Sequence, residues 1–244
     1  MPPPTIGPRV ASIAPPMKTR IAILGTFDES RPSRSKIGPA LEHSAAAIGV
    51  ELEYTWMPPD LADERVVESF NGIFVGPGDP VEDIAGILQT IRAARQNQLP
   101  CLGTCGGFQR IVTEYARHEL GFDKLENEEV TPDAVDPFFS RLQCSLVGRD
   151  AEVELVPGSQ VARIYASDRT TESFFCGYGV NGRYLEHLQR GRLKVSACDS
   201  AGEARVVELA QHPFFMGTLF VPQVRSMAGR AHPLITGFLR ATLG

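Results

Sequence analysis

The stretch Leu99-Pro100-Cys101-Leu102-Gly103-Thr104-Cys105-Gly106-Gly107-Phe108-Gln109 constrains this chain more than any other. An apolar run ends in Gly-x-Cys-Gly-Gly, and a helical pattern begins at once. A strand that turns directly into a helix holds one side chain out at the apex of a tight turn, and here the apex is Cys105. Glycines on both sides remove the side chains that would clash there and tolerate unusual dihedrals. A thiol so placed sits near a helix N-terminus, where the dipole favours thiolate and free N–H groups can hold an oxyanion.

The segments before this turn repeat one rhythm. Residues 20–26 form a short apolar run closed by glycine, which reads as a buried first strand. Residues 36–48 carry helical spacing (Ile37, Leu41, Ala45, Ile48) and stop at Gly49. Residues 50–56 alternate as a second strand, and residues 70–75 lead into the loop Gly76-Pro77-Gly78-Asp79-Pro80. A helix over 81–96 and a strand over 99–102 then deliver Cys105. Strands and helices alternating at such intervals specify an α/β three-layer sandwich with a central, mostly parallel sheet of flavodoxin-like type. Ligands in such sheets bind beyond the carboxyl ends of the strands, where both the Gly76–Pro80 loop and Cys105 fall.

The second half changes character. Short β-like runs dominate over 151–156, 193–197 and 205–209, a last apolar run spans 216–221, and a C-terminal helix spans 233–243. Residues 1–17 carry six prolines and little periodicity, so they read as a flexible arm ahead of one domain over 18–244. The net charge of -5 argues against nucleic acid or an anionic membrane as main partner. No apolar run reaches the roughly 20 residues that span a bilayer, and a secretory signal is not expected, because no basic region followed by an apolar core stands near residue 1. The five cysteines are odd in number and scattered, without a CxxC pair. Neither zinc nor a disulfide framework is expected, and reduced, cytoplasmic thiols are the default. No cofactor or metal is implied.

In order along the chain, these residues resemble the class I (triad) glutamine amidotransferase family, most of all the glutaminase domain of CTP synthase. Leu102-Gly103-Thr104-Cys105-Gly106-Gly107-Phe108-Gln109 is similar to the family's Leu-Gly-Ile-Cys-Leu-Gly-Met-Gln, and residues 71–78 to its strand and Pro/Gly loop. Glu114-Tyr115-Ala116-Arg117-His118, Gly179-Val180-Asn181, His212-Pro213-Phe214-Phe215 and His232-Pro233-Leu234 follow in register. The resemblance implies that Cys105 is a nucleophile and that the N–H groups of Gly78 and Gly106 hold the oxyanion. It also implies that Gln109 and Glu129 bind the substrate's amino-acid end. The amidoligase half that would bind ATP and UTP is absent from this chain, so a complete CTP synthase is not expected, and a synthetase partner chain is one open possibility. A homodimer is also open.

The pattern then breaks. The family's Phe-His-Pro-Glu, which carries the proton-shuttling histidine and its orienting glutamate, reads Phe220-Val221-Pro222-Gln223 here. Gly177 stands where the family places an arginine for the substrate carboxylate. Of the histidines, His43, His118, His212 and His232 fall in ordinary structural segments and His187 in an exposed-looking helix. None is an evident replacement base. Glu129 sits in the charge run Glu126-Asn127-Glu128-Glu129, which is as readily a solvated face as an amine site. Glu172 and Cys176 read as a surface residue and a core thiol rather than pocket groups. Gly76-Pro77-Gly78-Asp79 lacks the lysine and hydroxyl residue of a phosphate loop.

Three functions remain on these residues. The first is a cysteine-dependent amidotransferase or hydrolase acting on a small amide or acyl substrate other than glutamine. The second is a non-catalytic pseudo-glutaminase that binds or regulates. The third is a redox or adduct-forming thiol protein that needs no histidine.

Overall fold

The protein's computed structural model describes residues 17–78 and 83–244. The proline-rich arm, Met17 excepted, lies outside the described residues, as do Asp79 and Pro80 of the glycine loop and the first residues of the helix expected from 81. In chain order the elements are β1 (Lys18–Leu24), α1 (Pro32–Ser35), α2 (Ile37–Ile48), β2 (Glu51–Met57), α3 (Val66–Ser69), β3 (Gly72–Val75), α4 (Ala85–Gln96), β4 (Cys101–Thr104) and α5 (Gly106–His118). There follow β5 (Phe139–Arg141), β6 (Arg149–Leu155), α6 (Gln160–Tyr165), β7 (Arg169–Phe174), β8 (Tyr178–Val180) and α7 (Gly182–Arg190). The chain closes with β9 (Leu193–Cys198), β10 (Ala204–Leu209), β11 (Phe215–Thr218) and α8 (Pro233–Ala241).

One nine-stranded sheet runs β2-β1-β3-β4-β11-β10-β9-β6-β7. The five strands from β2 to β11 pair in parallel. The outer strands β10, β9, β6 and β7 pair antiparallel. The expected parallel core and most of the β-rich second half are therefore two ends of a single sheet, while β5 and β8 pair antiparallel in a separate two-stranded sheet. β3 and β4 are buried at every residue, as continuous apolar parallel strands must be when both faces are covered.

Neighbouring residues of β3 identify the two covering layers. The Phe74 ring stacks edge-on against Phe238 of α8, with centroids 6.2 Å apart. Val75 instead meets the first turn of α5, because a Cβ on Gly107 would fall 2.1 Å from the Val75 carbonyl oxygen. Successive strand residues point to opposite faces, so α8 and α5 lie on opposite sides of the sheet. α2 packs with α8, and α4 with α5, completing three layers around one continuous hydrophobic cluster. No helix among the described residues is long and apolar enough to cross a membrane.

Two buried polar knots tie these layers. Arg95 of α4 forks onto Glu114 of α5 at 2.8–2.9 Å and also reaches Glu119 at 2.6 Å. On the other face Glu172 of β7 is 1% exposed, accepting from the Tyr165 hydroxyl at 2.7 Å and lying 3.2 Å from His232 Nε2. His232 Nδ1 accepts the Leu234 N–H, so Nε2 carries the proton toward Glu172. The reading of Glu172 as a surface residue is thus corrected: it shares the inward face of β7 with Phe174, two residues on.

Candidate active site

β4 lies between β3 and β11, and its register with both ends the three strands together. Beyond its last residue the Cys105 N–H donates to the Thr218 carbonyl at the end of β11, at 2.8 Å. The Cys105 carbonyl accepts the Phe108 N–H at 3.0 Å and so opens α5. Between these holds Cys105 adopts φ 53° and ψ −111°, a conformation that costs a non-glycine residue about 1–3 kcal/mol. The expected strand–turn–helix is present, with its apex at the expected residue.

The flanking glycines are required by close approach. A Cβ on Gly106 would sit 2.9 Å from the backbone nitrogen of Gly78. The loop after β3 and the first turn of α5 are therefore in backbone contact beside the Cys105 sulfur, with no room between them for a methyl group.

Cys105 opens onto a cavity of about 470 Å³, a size that suits a small-molecule ligand. Gly78, Gly106, Gln109, Glu129 and Gly177 line it too, so the structure brings the sequence-derived candidates together. The Gln109 carboxamide is held from both ends: Nε2 donates to the Tyr178 carbonyl at 3.5 Å, and Oε1 accepts from Asn127 at 3.3 Å. Glu129 is exposed at the rim, its N–H bonded to Asn127 Oδ1. A Cβ at Gly177 would make ordinary contacts, with Val147 and Ser145 about 4 Å away. The sequence reading missed Arg31, Arg34, Arg110 and Arg117, which line the same cavity. Arg110 follows Gln109 directly, and that position on the helix was the available signal.

Val221 and Gln223, where the sequence resemblance expects the triad histidine and glutamate, are built firmly into the structure. Val221 is fully buried and its N–H donates to the Ser173 carbonyl at 2.8 Å. Gln223 is fully buried as well, donating from Nε2 to the Ser33 carbonyl at 2.7 Å and to Thr104 Oγ1 at 3.2 Å. Its amide ties the segment after β11 to the residue just before Cys105.

No histidine is found among the described residues lining the cavity. His43 meets Ser226, His118 meets Glu114, His187 packs on Phe122, His212 accepts the Phe214 N–H, and His232 serves the Glu172 knot. Burial pushes the His212 pKa below its ordinary value, so that ring stays neutral. No group of three or more potential metal ligands occurs among the described residues.

The unexpected neighbour of Cys105 is Cys176. The two are joined as a disulfide across 71 residues of sequence, with Cα atoms 6.3 Å apart. That separation lies within the range a bridge requires. Two sequence expectations are corrected here: not every thiol is free, and Cys176 is half-buried on the cavity wall rather than in the core. The physical reason is topological. β7 and β8 belong to different sheets, and the crossover Phe175-Cys176-Gly177 between them passes over the turn at the end of β4.

Parallel strands whose carboxyl ends present a strained turn to a walled cavity define an α/β protein with its site at the strand ends. The comparisons narrow that class. Residues 34–241 match the family model for glutamine amidotransferase class-I. CTP synthase from Archaeoglobus fulgidus is 31% identical over 237 residues, covering 91% of this chain and 44% of that protein. CTP synthase from Methanopyrus kandleri is 31% identical over 242 residues, covering 92% and 45%. This chain therefore spans less than half the length of the curated relatives it matches. Among solved structures, the glutaminase domain of Trypanosoma brucei CTPS with bound acivicin superposes with a TM-score of 0.83 at 23% identity, covering 92% of this chain and 93% of that one. The chain belongs to the class I glutamine amidotransferase family, in the branch that resembles the glutaminase domain of CTP synthase.

Proposed function

We propose that this protein uses Cys105 as a nucleophile on a small acyl substrate whose leaving group departs without a proton donor. Glutamine itself is then at most a poor substrate. The observation that carries this reading is the pairing of a nucleophile-type turn with a cavity whose described lining contains no histidine. Attack on a carbonyl needs a thiolate and an oxyanion site. The N-terminus of α5 and the adjoining backbone of Gly78 and Gly106 supply both. Expelling ammonia needs more, because an amide nitrogen leaves only once it is protonated, and losing that acid–base step costs about 10²–10⁴-fold. A thioester or activated ester, whose leaving group departs as a stable anion, avoids the requirement.

Substrate recognition follows the same remodelling. Gln109 and Glu129 are the groups that suit an amine, and Gly177 supplies no cation, so any acidic end of the substrate falls to the arginines that line the same cavity. The substrate class is therefore a small amine-bearing acyl compound. A synthetase-type partner chain that accepts the acyl group belongs to this proposal, and so does a reducing, cytoplasmic setting in which Cys105 is available as a thiol.

Acylation of the reduced protein by a panel of thioesters, read by intact mass, tests the reading. We expect a single acyl adduct that Cys105→Ala removes, with glutamine hydrolysis lower by about 10²-fold or more than a complete triad would give. Ordinary glutaminase turnover would overturn it, as would acylation that persists in Cys105→Ala.

A further inference from the structure

We propose that Cys105 and Cys176 form a working dithiol–disulfide pair, and that the cavity carries out thiol–disulfide exchange with small disulfides. Cys105 is the attacking thiol and Cys176 the resolving one. The bridge lies on a cavity wall, not in the core, with both sulfurs belonging to residues that line the same 470 Å³ space. A cross-link placed only for stability has no need of that cavity. It also has no need of the strained Cys105 backbone, which one partner of the bridge occupies and the other does not.

The chemistry fits the groups present. The Cys105 thiolate, favoured at the start of the thirteen-residue α5, attacks one sulfur of a small disulfide. The substrate S–S bond breaks, and one half departs as a thiolate that takes up the proton Cys105 released. A mixed disulfide remains on Cys105. The Cys176 thiolate then attacks the Cys105 sulfur, and the second half leaves as a thiolate that takes the Cys176 proton. The two protein thiols lose two electrons in all, and the small disulfide gains them to become two thiols. Every leaving group is a thiolate, so no general acid is required. A hydroperoxide would have to expel hydroxide, and the described lining holds no histidine to protonate it.

The supporting geometry separates the two roles. Cys105 is clamped by Thr218 and Phe108 at the end of the sheet. Cys176 rides on the short crossover between β7 and β8, flanked by exposed Phe175 and by Gly177. A fixed attacking sulfur and a resolving sulfur on a loop are what the two-step exchange demands. The other cysteines are poor competitors, with one exception. Burial holds the Cys101 thiol far above its ordinary pKa, and burial together with Asp199 raises that of Cys198. Cys144 alone is exposed.

The test uses the full chain with Cys144→Ser as background and bis(2-hydroxyethyl) disulfide as probe. After reduction and desalting, the parent protein should lose two hydrogens in mass without retaining an adduct, and release two thiols per chain. Adding Cys176→Ser should trap one mercaptoethanol adduct on Cys105, formed at least about tenfold faster than on a cysteine of unperturbed pKa. Cys105→Ser should not accumulate an adduct at that rate. A parent protein that keeps both thiols would overturn the proposal, as would an adduct trapped on Cys176 in preference to Cys105. The readout follows sulfur rather than acyl transfer, so it can fail while thioester acylation of Cys105 succeeds, and the reverse.

Discussion

Placing a carboxylate at position 223 should destabilise this protein in a pH-dependent way. Gln223 is fully buried, and the 2.7 Å hydrogen bond from its Nε2 ends on a backbone carbonyl, that of Ser33. A carbonyl can only accept. In Gln223→Glu the hydroxyl of Thr104, 3.2 Å away, can rotate to donate, but the Ser33 carbonyl would face a second acceptor. An ionised carboxylate there loses a hydrogen bond of about 1 kcal/mol and adds buried repulsion and desolvation, about 3 kcal/mol in total. A protonated carboxyl can donate to Ser33 and escapes most of that loss. The folded-state pKa of the new Glu is therefore raised, by about two units if the differential is about 2.7 kcal/mol. A raised carboxyl pKa means that the folded state binds more protons than the unfolded one, so stability falls as pH rises. The loss begins near the unfolded value of about 4.3 and levels off above about 6.3. Urea unfolding of wild type and Gln223→Glu at about pH 4 and about pH 8 reads the difference directly. We expect the variant's deficit to be about 2–3 kcal/mol larger at the higher pH. Equal deficits at both pH values, within about 0.5 kcal/mol, would mean that Gln223 is not the buried donor described.

The other expectations are briefer. Val221→His combined with Gln223→Glu should not restore glutaminase activity, measured as ammonia release, because Cys176 still contacts the Cys105 sulfur and position 177 still supplies no cation. Full recovery would refute the role assigned to Gly177. Gly106→Ala drives a methyl to 2.9 Å from the Gly78 nitrogen, so single-turnover acylation of Cys105 should slow by about 10²-fold. An unchanged rate would remove Gly78 and Gly106 from the oxyanion site. Glu172→Ala leaves His232 Nε2–H and the Tyr165 hydroxyl without their buried acceptor, and calorimetry should find a loss of about 3 kcal/mol.

How much could be read in the chain depended on distance along it. The strand–turn–helix at Cys105 was legible because its causes are local: an apolar run, two adjacent glycines and a helical spacing within eleven residues. The parallel order was legible for the same reason, since each strand and helix follows its neighbour at short range. Cys176 was not, because its nearness to Cys105 depends on a crossover between two sheets and a separation of 71 residues. Glu172 was misread although a signal existed. In Thr-Glu-Ser-Phe the glutamate and the buried Phe174 are two apart on a strand, which puts them on one face. The fates of Val221 and Gln223 were half visible: their chemistry was plain from residue type, but their anchoring to Ser173, Ser33 and Thr104 is purely tertiary.

The hold of Thr218 on Cys105 has a consequence for how such proteins diverge. The turn that presents Cys105 is suspended from main-chain atoms of β11 and α5, and neither contact depends on which side chains surround it. The side chains nearest to it from elsewhere arrive separately, on the segment after β11 and on the crossover before β8. Substitutions there can change the surroundings of the sulfur while the mounting stays in place. The sheet thus acts as a fixed socket for one sulfur atom, and the two peripheral segments are fittings that can vary without a change of fold.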